Sequence, residues 1–457
     1  MMMINNFRRL VYLFLFLALM NPNSGQALAD SLISQITAPI SGDNTTAITK
    51  TYYVSPTGSD KNTGLSESSP LTLQKAADIT NPGDTVLIMD GVYKNASATG
   101  QVVLITRSGG PDAWITYKAY PGHFPKLQHN GWNGILIRNG ASYIEVNGLE
   151  VIGNNANITL KDAQLQKDNK SNPLTNGNCI IVNGAKNSNS HHIRIINNKV
   201  HDCGGGGIGI TQADYVNIEG NEVFNNAWYS VYGNSGISTY QNWRFDDSQE
   251  YKMIIRNNKV YNNRQYIPWI NVGKITDGNG IIIDDSRNTQ NGSTLGAYTG
   301  RTLVANNIVF NNGGSGIHTY FSDHVDIVNN TAYLNNQSPE IKDGQIFANN
   351  SSDVKILNNI LYAMPGKNVN SIWKSTDVTY DYNLYANSSI IPVKGNNDII
   401  IDDPLFVDAL KGDFRLQSTS PAIKKGFEST SLKTDFAGKS RPSGSRHDIG
   451  AYQYSNE

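Results

Sequence analysis

Asparagine recurs at one place in a series of short apolar segments, and that recurrence constrains the fold more than any other feature of the chain. The segments read IRIINNKV, VNIEGNEV, IIRNNKV, LVANNIV, VDIVNNTA and VKILNNIL, and they align Asn198, Asn221, Asn258, Asn307, Asn330 and Asn359. The spacings are 23, 37, 49, 23 and 29 residues. A base period near 23 with insertions in the middle is what a three-strand coil leaves in a sequence. Each coil buries its inward Ile and Val against the next, so the expected architecture is all-β, a parallel β-helix solenoid. Asparagine suits the turns because it tolerates left-handed backbone, bonds its own backbone and can bond its copies up the stack.

A solenoid grows by stacking, so 457 residues need no division into several cores, and residues 51–457 are expected to form a single domain. Charge is balanced, with 37 Lys+Arg against 38 Asp+Glu, which argues against a general nucleic-acid binder and gives no reason to expect attachment to anionic membranes. Recognition of a charged substrate must then be local. At the N-terminus, Arg8 and Arg9 precede the apolar run LVYLFLFLALM and a small-residue stretch ending Ala27-Leu28-Ala29. That pattern reads as a signal peptide over residues 1–29, with cleavage after Ala29, a secreted or periplasmic product and no membrane span in the mature chain. Residues 30–50 read as a polar linker. Cys179, on a strand line, and Cys203, in a turn, allow one disulfide in an oxidising compartment.

Leu71, Leu73, Ala76 and Ala77 fit a short amphipathic helix ahead of the first coil, where it would cap the open end of the core. The Asn-, Lys- and Ser-rich stretch 154–178 reads as an extruded loop. The tail, DFRLQSTSPAIKKG through SRPSGSRHDIGAYQY, is expected to cover the last rung.

A second strand follows each asparagine turn: GGIGIT, SGISTY, NGIIID and SGIHTY. Aligned on the shared Gly-Ile, they turn Ile208, Ile237, Ile281 and Ile317 inward, together with Ile210, Thr239, Ile283 and Thr319. The outward residues form two columns, Gly209-Ser238-Ile282-His318 and Thr211-Tyr240-Asp284-Tyr320. Rungs lie ~4.8 Å apart, so Tyr240, Asp284, His318 and Tyr320 are expected to share one patch. The two long insertions add loops rich in Trp228, Tyr229, Tyr232, Trp243, Tyr266 and Trp269, beside Arg244, Arg264, Lys274, Arg287 and Arg301. Aromatic planes stack on sugar faces and Arg forks pair with carboxylates, a combination suited to an acidic polysaccharide lying along the solenoid.

With SGISTY and KITDGNGIIIDD on such a scaffold, residues 51–454 resemble the right-handed parallel β-helix polysaccharide lyases, the class of the pectate, alginate and glucuronan lyases. The resemblance implies β-elimination: neutralise the uronate carboxylate, remove the C5 proton and protonate the departing O4. Carried onto this chain, it implies Lys274 as base, Tyr240 as acid and His318 as the competing base. Arg264, Arg287 and Arg301 are the candidate carboxylate clamp, with Tyr320, Trp243 and Trp269 as further substrate contacts. No dense Asp cluster like that of the calcium-dependent pectate lyases is evident, nor the DPHD of mannuronate epimerases, nor the R-I-K of polygalacturonases. No cofactor is then required.

Three carboxylates keep other readings open. Asp277, Asp284 and Asp285 can bind calcium, which favours hard oxygen ligands. Asp284 and Asp285 can instead be the paired acids of an inverting glycoside hydrolase. Or Asp277 caps a turn and Asp285 pairs with Arg287. The expected function is cleavage of an acidic polysaccharide by a monomeric exported lyase; a hydrolase and a non-catalytic carbohydrate-binding surface protein are the alternatives.

Overall fold

The computed structural model describes residues 49–429 and 432–455. The expected signal peptide, and the linker up to residue 48, lie outside the described residues. Each coil contributes one strand to each of three parallel sheets. The first sheet has eleven strands, mostly six residues long in the middle coils, as in Asp214–Glu219. The second has eleven three-residue strands, as in Glu222–Phe224, and the third nine, as in Ile237–Tyr240. Pairing is parallel throughout these sheets and in register apart from one irregularity between Tyr251 and Met253, the arrangement of a right-handed parallel β-helix. Alternation decides the rest: Ile208, Ile237, Ile281 and Ile317 are fully buried, and Ile283, Thr239 and Thr319 are inward beside them.

The turn between the first and second sheets explains the asparagines. The residue before each aligned asparagine adopts left-handed backbone, with φ of 55° at Asn197, 56° at Asn257 and 53° at Asn306, and Gly220 does the same at 68°. The aligned asparagine then points inward and bonds its copy on the next coil. Asn198 donates to Asn221 at 3.1 Å, and Asn221, Asn258, Asn307, Asn330 and Asn359 each donate onward at 3.0 Å, reaching Asn383. Each Oδ1 also accepts a backbone N–H, so a fully buried polar column is satisfied. A second ladder of the same kind, Asn226-Asn263-Asn312-Asn335, ends on Gln345 at the next turn.

The helix Leu73–Ile79 buries Leu73, Ala76 and Ala77. Its N-cap, Thr72, accepts a bond from the Lys75 N–H. Cys179 and Cys203 are bonded inside the solenoid, both fully buried, with His129 Nε2 at 3.3 Å from Cys203 Sγ.

Two readings of the sequence are corrected. Residues 154–178 are not an extruded loop: they form the short helices Leu160–Leu165 and Pro173–Asn176. Ile158 and Ala163 pack with Tyr229, Val231 and Ile267, because these few apolar residues cover what the long insertions expose. The tail runs along the outer side of the second sheet instead of covering the last rung alone. Its hairpin, Phe406–Asp408 with Asp413–Leu416, lies against Phe310, Tyr333, Ile360 and Leu384 of the second sheet. The outward rings of that sheet, Phe224, Tyr261 and Phe310, stack at 4.9 and 4.8 Å and leave an apolar face for the tail to bury. Beyond the hairpin, Arg441 reaches Asn306 Oδ1 at 2.9 Å.

Candidate functional site

The outer face of the third sheet carries the two columns read from the sequence. Thr211, Tyr240, Asp284 and Tyr320 are direct register partners at the ends of successive strands, and Ser238, Ile282 and His318 are partners two positions before them. Insertions wall this strip on both sides. On one side stand residues 226–236 and 262–280, on the other 241–250 and 285–300.

Both walls are pinned. Residues 285–300 are held by Tyr298, whose hydroxyl donates to Asp214 Oδ1 at 2.7 Å. Asp214 also pairs with the fully buried Lys252 at 2.6 Å, and Lys252 reaches Asp246 at 2.9 Å in the neighbouring loop. The opposite wall rests on the segment that follows the helix Leu160–Leu165: Asn176 Oδ1 accepts the Val231 N–H at 2.9 Å, and Lys170 Nζ donates to Asn271 at 3.1 Å.

From the first wall Gln290 donates to Asp284 Oδ1 at 3.2 Å, and Asn291 Nδ2 donates to the Tyr240 hydroxyl at 2.6 Å. From the other comes Asp277. Its N–H and that of Thr276 both donate to Gln265 Oε1 at 2.9 Å, and Thr276 Oγ1 donates to Asp277 Oδ2 at 2.7 Å. Gly233 makes the room: a β-carbon there would stand 2.5 Å from Asp277 Oδ2 and 3.6 Å from the Trp269 ring. Trp269 therefore borders the same corner, and its N–H donates to the Lys274 carbonyl at 2.9 Å to close the hairpin that presents Lys274 to solvent.

The electrostatics follow from burial without cationic partners. Desolvation, with the charge of Asp277 second, pushes Asp284 up to about 8, and desolvation pushes Asp277 up to about 6. Burial followed by the nearby aspartates raises Tyr320 above the ordinary tyrosine value, and burial also raises Tyr240. His318 stacks on Phe347 at 4.7 Å, its Nε2 is shielded and without a hydrogen-bond partner, and burial lowers it to about 3, so its imidazole is neutral.

Other residues named from the sequence lie elsewhere. Asp285 follows Asp284 but turns into the coil, where it accepts bonds from Gln241 Nε2, Thr289 N, Thr289 Oγ1 and Gln290 N at 2.8 to 2.9 Å. It stands at the end of a buried ladder, Gln212-Gln241-Asp285, and does not pair with Arg287. Arg287 forms a two-bond fork with Asp323 at 2.7 Å. Arg301 grips Asp353 at 2.8 and 2.9 Å on the first sheet. Arg264 lines a groove of about 460 Å³ with Trp228, Tyr266 and Gln337, at the corner between the second and third sheets. Trp243 joins His191 and Phe245 beside the first sheet. The expected three-arginine clamp is thus not assembled over the column: Arg287 and Arg301 are spent on carboxylates of neighbouring coils, and Arg264 lies over the Tyr266 ring in its own groove. Among the described residues, no three carboxylates converge closely enough to ligate one ion; the one such grouping is His129 with the two bonded cysteines.

The second asparagine ladder went unread in the sequence, although each member lies five residues after a member of the first. Gln290, Asn291 and Gln265 carried no periodic signal.

Comparison with known proteins agrees with this architecture. The family described as Pel9A-like, right handed beta helix region matches residues 52–350. The chain belongs to this family. The crystal structure of pectate lyase Pel9A superposes with a TM-score of 0.51 at 16% identity, covering 89% of this chain and 96% of that one, a likeness of fold. An uncharacterized Bacillus subtilis (strain 168) protein, YwoF, is 24% identical over 442 residues, covering 81% of this chain and 91% of that protein. Pectate lyase L of Dickeya chrysanthemi is 33% identical over 89 residues, 19% of this chain and 20% of the relative. No described helix of this Pel9A-like chain is long and apolar enough to cross a membrane.

Proposed function

We propose that this Pel9A-like protein is an exported lyase that cleaves an acidic, uronate-containing polysaccharide by β-elimination on the outer face of the third sheet. The observation that carries the reading is the walled column Tyr240-Asp284-Tyr320 with Asp277 beside it, two carboxylates raised by burial and facing no basic partner. A uronate polymer carries negative charge, so such a pair accepts it only when protonated or when a cation lies between. Membership of a family named for a pectate lyase supports the same substrate class.

Asp277 and Asp284 fit a calcium ion: both offer hard oxygens, and the charge of Asp277 disfavours ionisation of Asp284 until something neutralises it. Asp285, with its oxygens already bonded, holds the strand end instead of ligating. Calcium bound there would draw charge from the uronate carboxylate and acidify the C5 proton. In this reading Tyr240 remains protonated, is oriented by Asn291 and donates to the departing O4, and the neutral amine form of Lys274, on the loop tip, takes the C5 proton and becomes the ammonium. His318, kept neutral by burial and with its Nε2 shielded, is too weak a base to take that proton.

A hydrolase is the second reading, favoured by the separation of Asp277 at about 6 from Asp284 at about 8, the pattern of a base and an acid. The pair would then be Asp284 with Asp277, not with Asp285. The test is ultraviolet absorbance of unsaturated uronate with pectate, alginate and glucuronan, each with calcium and with chelator. A rise that chelator abolishes supports the lyase with its calcium. New reducing ends without absorbance transfer the assignment to the hydrolase.

A further inference from the structure

The column of strand ends does not stop at Tyr320. Asn349 pairs in register with Tyr320, and Trp373 with Asn349, so Asp284, Tyr320, Asn349 and Trp373 lie on four successive rungs. Trp373 is then three rungs from Asp284, ~14 Å along the solenoid axis. Its side chain is 59% exposed, an unusual state for an indole on a rigid strand. Lys374 follows in the left-handed turn, with φ of 46°, and its ammonium stands 5.9 Å from the Trp373 ring centroid. Asn349, half-exposed between Tyr320 and Trp373, keeps the intervening rung polar.

We propose that Trp373 and Lys374 form a distal subsite for the same acidic polysaccharide, taking one uronate unit with its ring face on the indole and its carboxylate at the ammonium. The inference rests on the functional reading above and deepens it by giving the polymer a direction of lie, along the axis, and a footprint that extends at least three rungs past Asp284 toward the C-terminal coils. Three observations converge on it. The alignment with the catalytic strip is fixed by backbone register, not by a mobile loop. An apolar plane and a cation stand side by side, the two groups that a uronate presents partners for. And both residues lie in the C-terminal coils, beyond the stretch that the family match covers. A plain edge device, a lysine guarding the last strand of the third sheet, would need no exposed indole beside it.

The test compares Trp373→Ala, Trp373→Phe and Lys374→Gln with the wild type, on three-unit and eight-unit oligosaccharides cut from whichever of pectate, alginate or glucuronan the wild type cleaves. Trp373→Ala is expected to raise KM about tenfold for the eight-unit substrate and to leave kcat and the three-unit KM unchanged. Trp373→Phe should restore most of the loss, and Lys374→Gln should weaken the long substrate in a salt-dependent way. An equal effect on both lengths, or none on either, overturns the subsite while leaving the lyase reading intact. A wild type that cleaves no uronate polymer overturns both.

Discussion

Replacing Asp284 by Asn should make the protein more stable, by a margin that grows as pH rises from about 4 to about 8. In the unfolded chain this carboxyl ionises from its ordinary value of 3.8, whereas in the folded protein burial holds it protonated up to about 8. Between those limits folding takes up a proton, so the wild type loses stability as pH rises and the loss is complete above the folded value. The distance between the two values sets a ceiling of about 6 kcal/mol. The side chain is half-buried and open to a walled groove, and solvent screening brings the expected figure to on the order of 2 kcal/mol. For a domain of this size that is a rise in Tm of roughly 2–3 °C at pH 9. Asn keeps the shape and can still accept the Gln290 hydrogen bond, so the difference between variant and wild type should vanish near pH 4, where both side chains are neutral. Thermal unfolding at pH 4, 6, 7.5 and 9 reads it directly. Calcium at pH 9 should raise the wild-type Tm and leave the Asn variant unmoved. A gap that does not change with pH, or a variant less stable at pH 9, would refute the claim that Asp284 is held uncharged by its surroundings.

Three further outcomes are expected. Tyr240→Phe and Lys274→Ala should each lower kcat by about 10²–10⁴ with circular dichroism unchanged, as loss of a proton-transfer group does, and full turnover in either would remove that residue from the mechanism. Asn258→Ala breaks the ladder in mid-column, leaving the Asn221 side-chain and backbone N–H groups and the Ile218 and Arg256 carbonyls without their partner; a loss of about 2–4 kcal/mol in urea unfolding is expected, and an unchanged midpoint would show the ladder to be dispensable. Arg301→Ala should lower stability through the loss of Asp353 and Asp326 yet leave KM unaltered, whereas a raised KM in a stably folded variant would return Arg301 to substrate binding.

The solenoid was legible because its rule is local and repeated. A left-handed turn residue followed by an inward asparagine must recur once per coil, so Asn198 through Asn359 announced the coils despite the insertions between them. The Gly-Ile strands were legible for the same reason, and the partners Tyr240, Asp284 and Tyr320 emerged from a period of two alone. The arginines were not. Whether Arg287 reaches substrate or Asp323 depends on which residues of a neighbouring coil stand within the length of its side chain, and no pattern in its own segment carries that distance.

The sequence by itself therefore determined the parallel β-helix, its inward and outward faces, and the outward column of strand ends on the third sheet, since these follow from backbone geometry and burial repeated rung by rung. Only the tertiary structure decided how the carboxylates divide. Asp284 and Asp285 are adjacent in sequence, but the turn sends one outward into the walled strip and the other inward to four hydrogen bonds. Asp277, seven positions earlier, returns across Gly233 to become the partner whose charge Asp284 feels. Ionisation is set by what surrounds a group in space, and those surroundings are assembled by insertions that obey no period.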